Sequence, residues 1–379
     1  MVIAVVIWAQ WDIGSRVLAA AHQRDRIRNL SLLGIALFYA WLAVGFALNF
    51  SAVTRIVHVP VQLRGMISGG AYLWLMSFTS AYLIYRIWTA TTRRVNFDPQ
   101  RRRLLTGAGS VLAATPLALI GFGAIIQRTD FRVTETDIPV PNLPRDLQGL
   151  RILQLSDIHL GPFLSENDLA RVIDESLSLR PHLAVITGDL ISVVGDPLDA
   201  CLRQIARLRP EAGILGCLGN HEVLAGTEEY TTREGARLGI DFLSGRARSL
   251  RFGGATLNVA GVAYESIMKR KTYLTGAERL VEPGVVNLLL SHNPDVFPVA
   301  SRKGFDVTLA GHTHGGQVTV EMLNQTLNVA RFVTPFVSGY YHLPEPASAL
   351  YVTRGIGTIG LPVRIGAPPE ISLLRLVAA

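Results

Sequence analysis

Cysteine is scarce in this sequence. Only two cysteines occur in 379 residues, and they do not form the C-x-x-C spacing of a zinc or thioredoxin-like site. Cys201 falls on a helical pattern and Cys217 on an apolar strand pattern. Both are therefore expected to be small buried side chains, and a disulfide stays open only because an exported domain permits one.

Acidic residues are nearly absent from the first third of the chain. Residues 1–128 contain 13 arginines, no lysine and only three acids, which leaves 23 basic and 26 acidic residues in 129–379. The net charge of +7 therefore comes wholly from the apolar N-terminal third. This placement indicates membrane topology and not a nucleic-acid surface, so no nucleic-acid partner is expected.

The same third contains three long apolar stretches, Leu30–Ser51, Met66–Tyr85 and Leu104–Gln127. Each exceeds the roughly 18 residues that identify a candidate transmembrane helix. A shorter stretch, Met1–Trp11, is a possible fourth span that is shallow or interrupted by Asp12. Because the three long stretches contain no ionisable residue, we expect an all-α anchor and not a transport pathway.

Arginines between these stretches predict the orientation. Arginines that precede the first stretch include Arg24, Arg26 and Arg28, and those between the second and third include Arg93, Arg94, Arg101, Arg102 and Arg103. The loop between the first and second stretches has only Arg55 and Arg64. By the positive-inside rule, the chain after Gln127 lies outside the cytoplasm, and the protein is a multi-pass membrane protein. The run Arg101–Leu105 is either a twin-arginine export signal or simple anchoring charge.

Residues 129–149 are predicted to be a connector and residues 150–379 a soluble domain. Phe131–Thr136, within the proline-punctuated connector, alternates like an edge strand. The domain pattern predicts helices near Glu166–Leu179, Pro197–Leu208, Glu228–Leu238 and Asp295–Ser301, and strands near Ser249–Phe252, Thr256–Val262, Leu350–Thr353 and Ile371–Leu376. Strand–helix alternation that gives way to adjacent strands predicts an α/β fold, a two-sheet sandwich flanked by helices.

Five polar clusters each follow a short apolar run that reads as a buried strand. They are Asp157-Ile158-His159, Gly188-Asp189, Gly219-Asn220-His221-Glu222, Ser291-His292-Asn293 and Gly311-His312-Thr313-His314-Gly315-Gly316-Gln317. Ligands of open α/β sheets bind outside the carboxyl ends of the strands. Each cluster alone is a weak signal, but together they predict one shared site.

Three other features are not expected to take part in that site. Gly355, Gly357 and Gly360 match the dinucleotide-binding glycine pattern, but a proline follows two residues later, and the 19 remaining residues cannot form a βαβ unit. His182 and His342 lie outside the clusters and are expected to be surface or packing residues.

The order of the five clusters resembles that of the calcineurin-like metallophosphoesterases. In that family Asp-x-His, Gly-Asp, Gly-Asn-His-Asp/Glu, a single histidine and Gly-His-x-His follow one another. The resemblance covers residues 150–379 and is strongest to a membrane-anchored, exported branch, through Gly311–Gln317 and Pro368–Ile371. It implies the family's two-sheet sandwich and a metal-dependent hydrolase.

Seven side chains are candidate metal ligands: Asp157, His159, Asp189, Asn220, His292, His312 and His314. Carboxylate, imidazole and amide donors together suit Mn, Fe, Zn or Ni. Seven donors exceed the needs of one ion and suit two ions about 3.5–4 Å apart, which lower the pKa of a shared water so that hydroxide attacks phosphorus in line. The resemblance assigns Asp157, His159 and His314 to one ion, Asn220, His292 and His312 to the other, and Asp189 to both.

The resemblance also implies a catalytic role for His221, whose family equivalent faces the bond that breaks. It is expected to supply a proton or positive charge to the leaving oxygen. Glu222 either orients His221 or is simply a carboxylate at a helix start.

The substrate is predicted from the anchor and from one departure. Phosphoprotein phosphatases follow Gly-Asp with Asp-Arg-Gly, whereas Asp189 is followed by Leu190-Ile191-Ser192. The anchor favours a lipid-linked or envelope phosphodiester or pyrophosphate, as resemblance to nucleotide-diacylglucosamine pyrophosphatases also suggests. The alternatives are a phosphomonoesterase acting on a soluble or protein substrate and a non-enzymatic scaffold.

The loop Val262–Tyr273 mixes apolar and basic residues and either dips into a headgroup layer or is solvated.

Overall fold

A computed structural model describes residues 2–21, 25–92, 98–322 and 325–379. Arg24, Arg93 and Arg94, which contribute to the predicted charge asymmetry, lie outside the described residues. The N-terminal third is helical, with α1 Val2–Ala21, α2 Asp25–Ala47, α3 Ser51–Thr54, α4 Val61–Thr92 and α5 Pro99–Ile125. The Asp98 side chain caps α5 by accepting from the backbone N–H groups of Gln100 and Arg101.

Two helical segments, Ile27–Ala47 and Arg103–Thr129, are long and apolar enough to cross a membrane. They correspond to the first and third predicted stretches, and their large apolar side chains, such as Leu37 and Val111, are exposed. The second stretch lies within α4, where glycine, hydroxyl and aromatic residues lower the mean hydropathy. Met1–Trp11 falls largely in α1.

Close backbone approaches hold these helices antiparallel. A Cβ at Gly45, near the end of α2, would lie 2.6 Å from that of Ala71 in α4. At the other end of α4, the Trp88 ring donates to the Leu105 carbonyl of α5 over 3.1 Å. Small residues at such crossings permit the helix contact that replaces hydrophobic burial in a membrane.

The remaining chain forms two six-stranded sheets and a hairpin. In chain order the strands are β1 Arg132–Val140, β2 Arg151–Leu155, β3 Leu183–Thr187, β4 Ile214–Cys217, β5 Ile240–Phe242, β6 Arg246–Phe252, β7 Ala255–Gly261, β8 Val286–Leu290, β9 Val307–Ala310, β10 Thr319–Met322, β11 Gln325–Asn328, β12 Gly339–Pro344, β13 Ala347–Val352 and β14 Glu370–Ala378. The first sheet has the order β1-β14-β2-β3-β4-β5 and the second β12-β13-β9-β8-β7-β6, with β10 and β11 paired separately.

Helices cover the outer face of the first sheet, and the two sheets pack against each other. The helices of this part are α6 Glu166–Ser178, α7 Leu198–Ile205, α8 Asn220–Ala225, α9 Glu228–Arg237 and α10 Phe297–Arg302. Ile152 packs in the core between the sheets with Leu288, whereas the next residue, Leu153, packs in the core that contains α6 and α7. Burial on both faces explains why these strands read as continuous apolar runs. The predicted two-sheet sandwich is confirmed.

The segment after the anchor is part of the first sheet. Residues 132–140 pair in parallel with residues 370–378 along nine positions, which makes β1 the edge strand expected near Phe131–Thr136. A short 3₁₀ turn, Gln127–Thr129, follows α5 almost directly. Only a short segment therefore separates α5 from the first sheet.

The anchor contacts the sandwich at one edge. Arg64, near the start of α4, forms a buried ion pair with Asp196, and the Arg55 guanidinium donates to the Leu224 carbonyl over 3.1 Å. Arg128, just after α5, donates to the carbonyl of Phe163. These partners in the sandwich all lie in segments that follow β2, β3 and β4. The helices thus meet the sandwich end-on, at the carboxyl ends of its parallel strands.

Candidate active site

The five polar clusters meet at that same edge, because β2, β3 and β4 are parallel, as are β8 and β9. Among the described residues, nine non-glycine residues have positive φ, and five of them are predicted ligands. They are Asp157, His159, Asp189, His312 and His314. Left-handed backbone is unfavourable for such residues, so strain is concentrated where these side chains converge.

The first group of donors contains Asp157, His159 and His314, all buried. The His314 Nε2 atom lies 3.3 Å from the Asp157 carboxylate and 3.2 Å from the His159 Nε2 atom. The opposite His159 nitrogen, Nδ1, lies 3.0 Å from the Ser192 hydroxyl. A partner on the far ring nitrogen orients a ligating imidazole, as seen at metal sites generally.

The second group contains Asp189, His292 and His312. The His292 Nε2 atom lies 3.1 Å from Asp189 Oδ2 and 3.2 Å from His312 Nδ1. The His292 Nδ1–H donates to the Thr187 carbonyl over 2.6 Å, which leaves Nε2 facing the group. The same Asp189 oxygen lies 3.6 Å from His159 Nε2, so this carboxylate faces both groups.

The donors fit divalent cations. Asn220 Oδ1 is buried and has no hydrogen-bond partner among the described residues. A buried polar atom without a partner costs about 1–3 kcal/mol, and a cation would satisfy it. Asn220 is one of the seven residues predicted as ligands, and the structure brings all seven to this edge.

Burial and neighbouring charges shift the pKa values of the side chains in the two groups. Burial lowers the pKa of His159 to about 3 and that of His312 to about 4, so both rings keep neutral, ligating nitrogens near pH 7. Burial also acts against charge on His292, but the Asp189 carboxylate outweighs it and raises the His292 pKa to about 10. Despite its own burial, Asp189 has a pKa well below its usual value, because the facing imidazoles stabilise its charge.

A comparison with known families agrees with this geometry. Residues 150–316 match the family model described as calcineurin-like phosphoesterase. The chain carries a calcineurin-like phosphoesterase domain.

Several curated proteins with metallophosphoesterase names are similar to this chain. The chain is 31% identical over 247 residues to an uncharacterised metallophosphoesterase of Campylobacter jejuni, in an alignment that covers 64% of this chain and 63% of that protein. It is 28% identical over 370 residues to a Bos taurus protein named transmembrane protein with metallophosphoesterase domain, covering 90% of this chain and 80% of that protein. A solved Thermus thermophilus structure aligns with 55% of this chain and 90% of its own at 9% identity, with a TM-score of 0.35.

His221 lies beside the two groups. Its Nδ1–H donates to the Ser192 carbonyl over 2.6 Å, and its backbone N–H donates to Asp189 over 2.9 Å. A ring nitrogen of His221 also lies within 4.8 Å of possible ligand atoms of His159 and Asp189. With Nδ1 engaged, the Nε2 atom is the one available to a reacting group.

Glu222 is fully buried and accepts from backbone N–H groups. Its carboxylate lies 2.8 Å from the nitrogen of Gly219, 3.0 Å from that of Asp189 and 2.7 Å from that of Leu190. These bonds give Glu222 the helix-start role, because the third residue of a helix can satisfy the free donor before it. The contact that orients His221 comes instead from Ser192.

Two residues of the phosphoesterase site were missed by sequence reasoning, Ser192 and Arg364. Arg364 is fully buried and donates to backbone carbonyls, among them those of Gly355 at 3.1 Å and Gly357 at 3.0 Å. It holds the glycine segment against the first group: a Cβ at Gly355 would lie 2.6 Å from the Asp157 side chain. The glycines that resemble a dinucleotide-binding pattern thus allow the backbone to come close to the first group of donors. They were the signal in the sequence that could have pointed to this segment.

The remaining expectations concern residues away from the site. Cys201 and Cys217 are both free and buried, and burial raises the pKa of each thiol. His182 accepts from the Arg151 backbone N–H at the other end of β2, and His342 stacks on Tyr340 in β12. The structure brings neither histidine to the donor groups.

Proposed function

We propose that this protein is a metal-dependent phosphoester hydrolase that cleaves a phosphodiester or pyrophosphate of a lipid-linked or envelope molecule outside the cytoplasm. The position of Asp189 is the observation that supports phosphoester hydrolysis as the reaction. One carboxylate faces two groups of imidazole, carboxylate and amide donors, which is the arrangement of a two-ion site.

Each part of the site has a role in this proposal. Asp157, His159 and His314 would hold one divalent ion, Asn220, His292 and His312 would hold the other, and Asp189 would contribute to both. Ions such as Mn, Fe, Zn or Ni would supply a Lewis acid and a water of lowered pKa. His221 lies at the edge of both groups and presents Nε2 to the leaving oxygen, while Ser192 holds the ring in that orientation.

A membrane location is supported by the two helical segments that are long and apolar enough to cross a bilayer, and we propose α4 as a third span. α2 ends and α4 begins beside the sandwich, and α5 also ends there, so in this proposal α4 returns across the thickness that α2 and α5 cross. Its 32 residues correspond to about 48 Å of helix, more than the ~30 Å of a hydrocarbon core. With the arginine-rich segments in the cytoplasm, the sandwich lies outside.

The end-on contact also supports a substrate in the membrane. The donor groups lie at the edge of the sandwich that meets the helix ends, so the site is held next to the bilayer surface. Such placement raises the effective concentration of a lipid-borne phosphoester and gives little advantage with a dilute soluble one.

Full-length protein in vesicles tests this function. The metal-loaded protein is expected to hydrolyse both a lipid phosphodiester in the bilayer and a soluble aryl phosphodiester, with a large preference for the lipid. Preference for a soluble monoester would favour the phosphomonoesterase alternative. Two bound metals without turnover of any of these esters would favour a scaffold.

A further inference from the structure

Two loops beside the donor groups expose large apolar side chains. Met268 is 89% exposed, Phe332 91% and Val333 58%. They lie in residues 266–272 and 329–334, which together are called the lip. Burial of such side chains away from water is favourable by about 25 cal/mol for each Å² of apolar surface.

The two loops of the lip are joined to each other. The Arg270 guanidinium donates to the Val333 carbonyl over 3.1 Å and to the Asp295 carboxylate over 2.8 Å. The Thr334 hydroxyl donates to the same carboxylate. Met268 and Phe332 therefore belong to one structure and not to two independent loops.

The lip borders the metal site on the side opposite the anchor. Tyr264, just before it, has its ring centroid 5.8 Å from that of His312 and 6.0 Å from that of His292. The Asn293 side chain, next to His292, donates to the Glu265 carbonyl over 2.7 Å. Residues 266–272 follow β7 of the second sheet, and residues 329–334, which follow the separate hairpin, are tied to Arg270 and to Asp295 after β8. The lip therefore lies at the edge where the anchor contacts segments of the first sheet.

The charge of the lip is basic. Lys269, Lys271 and Arg331 are exposed, while Arg270 is paired with Asp295. Exposed apolar tips beside basic side chains are typical of segments that lie in a membrane interface, where the tips enter the acyl boundary and the cations meet anionic headgroups.

We propose that the lip lies in the headgroup layer of the bilayer that the anchor crosses, with Met268 and Phe332 inserted below the headgroups. This rests on the membrane location proposed above, and it does not depend on hydrolysis. The metal site then opens between two membrane contacts, the anchor and the lip, and a phosphoester enters it from the bilayer surface.

Site-directed labelling of the full chain tests the contact. Because both native cysteines are buried, Met268→Cys and Phe332→Cys each provide a single reactive thiol for a polarity-sensitive dye. Leu177→Cys is the control, since it lies near the end of α6 at the opposite edge and is 39% exposed. In nanodiscs that contain quencher-bearing lipids, the two lip dyes should lose emission and the Leu177 dye should keep it. Equal emission at all three positions, quenched or not, would overturn the proposal.

Charge reversal tests the basic part of the lip. Lys269→Glu with Lys271→Glu should weaken lip contact with anionic nanodiscs by roughly fivefold for each charge. Arg209→Glu, at the edge of the sandwich that contains Leu177, should have no effect. If quenching stays the same in the lysine variants and in nanodiscs without anionic lipid, the basic side chains of the lip do not contact the headgroups. Hydrolysis measured on the dye-labelled proteins that keep both lysines separates the two proposals, because unquenched lip dyes with retained turnover overturn the lip alone.

Discussion

Asp189 is the residue on which both halves of the proposed metal site depend. Asp189→Ala removes the carboxylate that faces His159 and His292, so bound metal should fall toward one ion or none and hydrolysis should be lost. Metal analysis of the purified protein and turnover of an aryl phosphodiester measure both effects. His182→Ala is the control and should change neither. Two retained ions with normal turnover would disprove the shared carboxylate.

His221 is expected to act on the leaving group and not on metal binding. His221→Ala should keep both ions and lower the rate by about 10²–10⁴-fold, most for esters with poor leaving groups, which need a proton most. Rates for a series of aryl phosphodiesters of graded leaving-group pKa measure this. An equal loss across the series would rule out proton donation to the leaving oxygen.

Side chains that follow apolar strands could be found from sequence, because their position is fixed by the strand end. The seven predicted ligands are of this kind. Ser192 and Arg364 could not be found in this way, since their roles are set by contacts with distant segments. Ser192 contacts two histidines from neighbouring strands, and Arg364 acts on a glycine segment whose place depends on β14.

At the scale of elements, the contact between α4 and the sandwich reaches the site through a short chain of bonds. Arg64 pairs with Asp196, which accepts from the backbone N–H groups of Ser192 at 3.0 Å and Val193 at 2.9 Å. Ser192 in turn holds His221. Burial raises the pKa of Asp196 even beside Arg64, so this carboxylate depends on the guanidinium to stay charged.

Arg64→Ala should therefore weaken both stability and catalysis. Breaking a buried ion pair costs about 3–5 kcal/mol, and loss of the Asp196 charge loosens the segment that holds His221. Thermal unfolding in detergent measures the first effect, and the leaving-group series used for His221 measures the second. Arg64→Lys should recover part of both. Arg55→Ala removes a bond to a backbone carbonyl and should leave the leaving-group dependence unchanged; the same change in both variants would contradict the path through Asp196.

Regular elements with strong periodicity could be predicted, and short or polar ones could not. α6 was found because Ser165 and Asp168 form a capping box before an amphipathic face. α8 was not among the predicted helices, although a helix start at Glu222 was one alternative, because its six residues begin at the predicted ligand Asn220 and belong to a polar cluster. β12 was missed because its alternating side chains lie at a sheet edge with little burial.

At the scale of the molecule, the orientation in the membrane is the main open prediction. A reporter that is active only outside the cytoplasm should be active when fused after Gln127. It should be inactive when fused near Phe97, which lies outside the described residues. The reason is the excess of arginine between the second and third stretches. The reverse pattern would put the phosphoesterase domain inside the cell.

The position of β14 has a consequence for the making of this protein. β14 lies between β1 and β2 in the first sheet, although β1 is the first strand of this sheet in the chain and β14 follows the other five. Until residues 370–378 are synthesised, β1 has no strand partner in the first sheet, and such unpaired edges can pair with other chains. Closure of the first sheet therefore waits for the synthesis of β14, and the nascent domain is most exposed to aggregation or to chaperones in that interval.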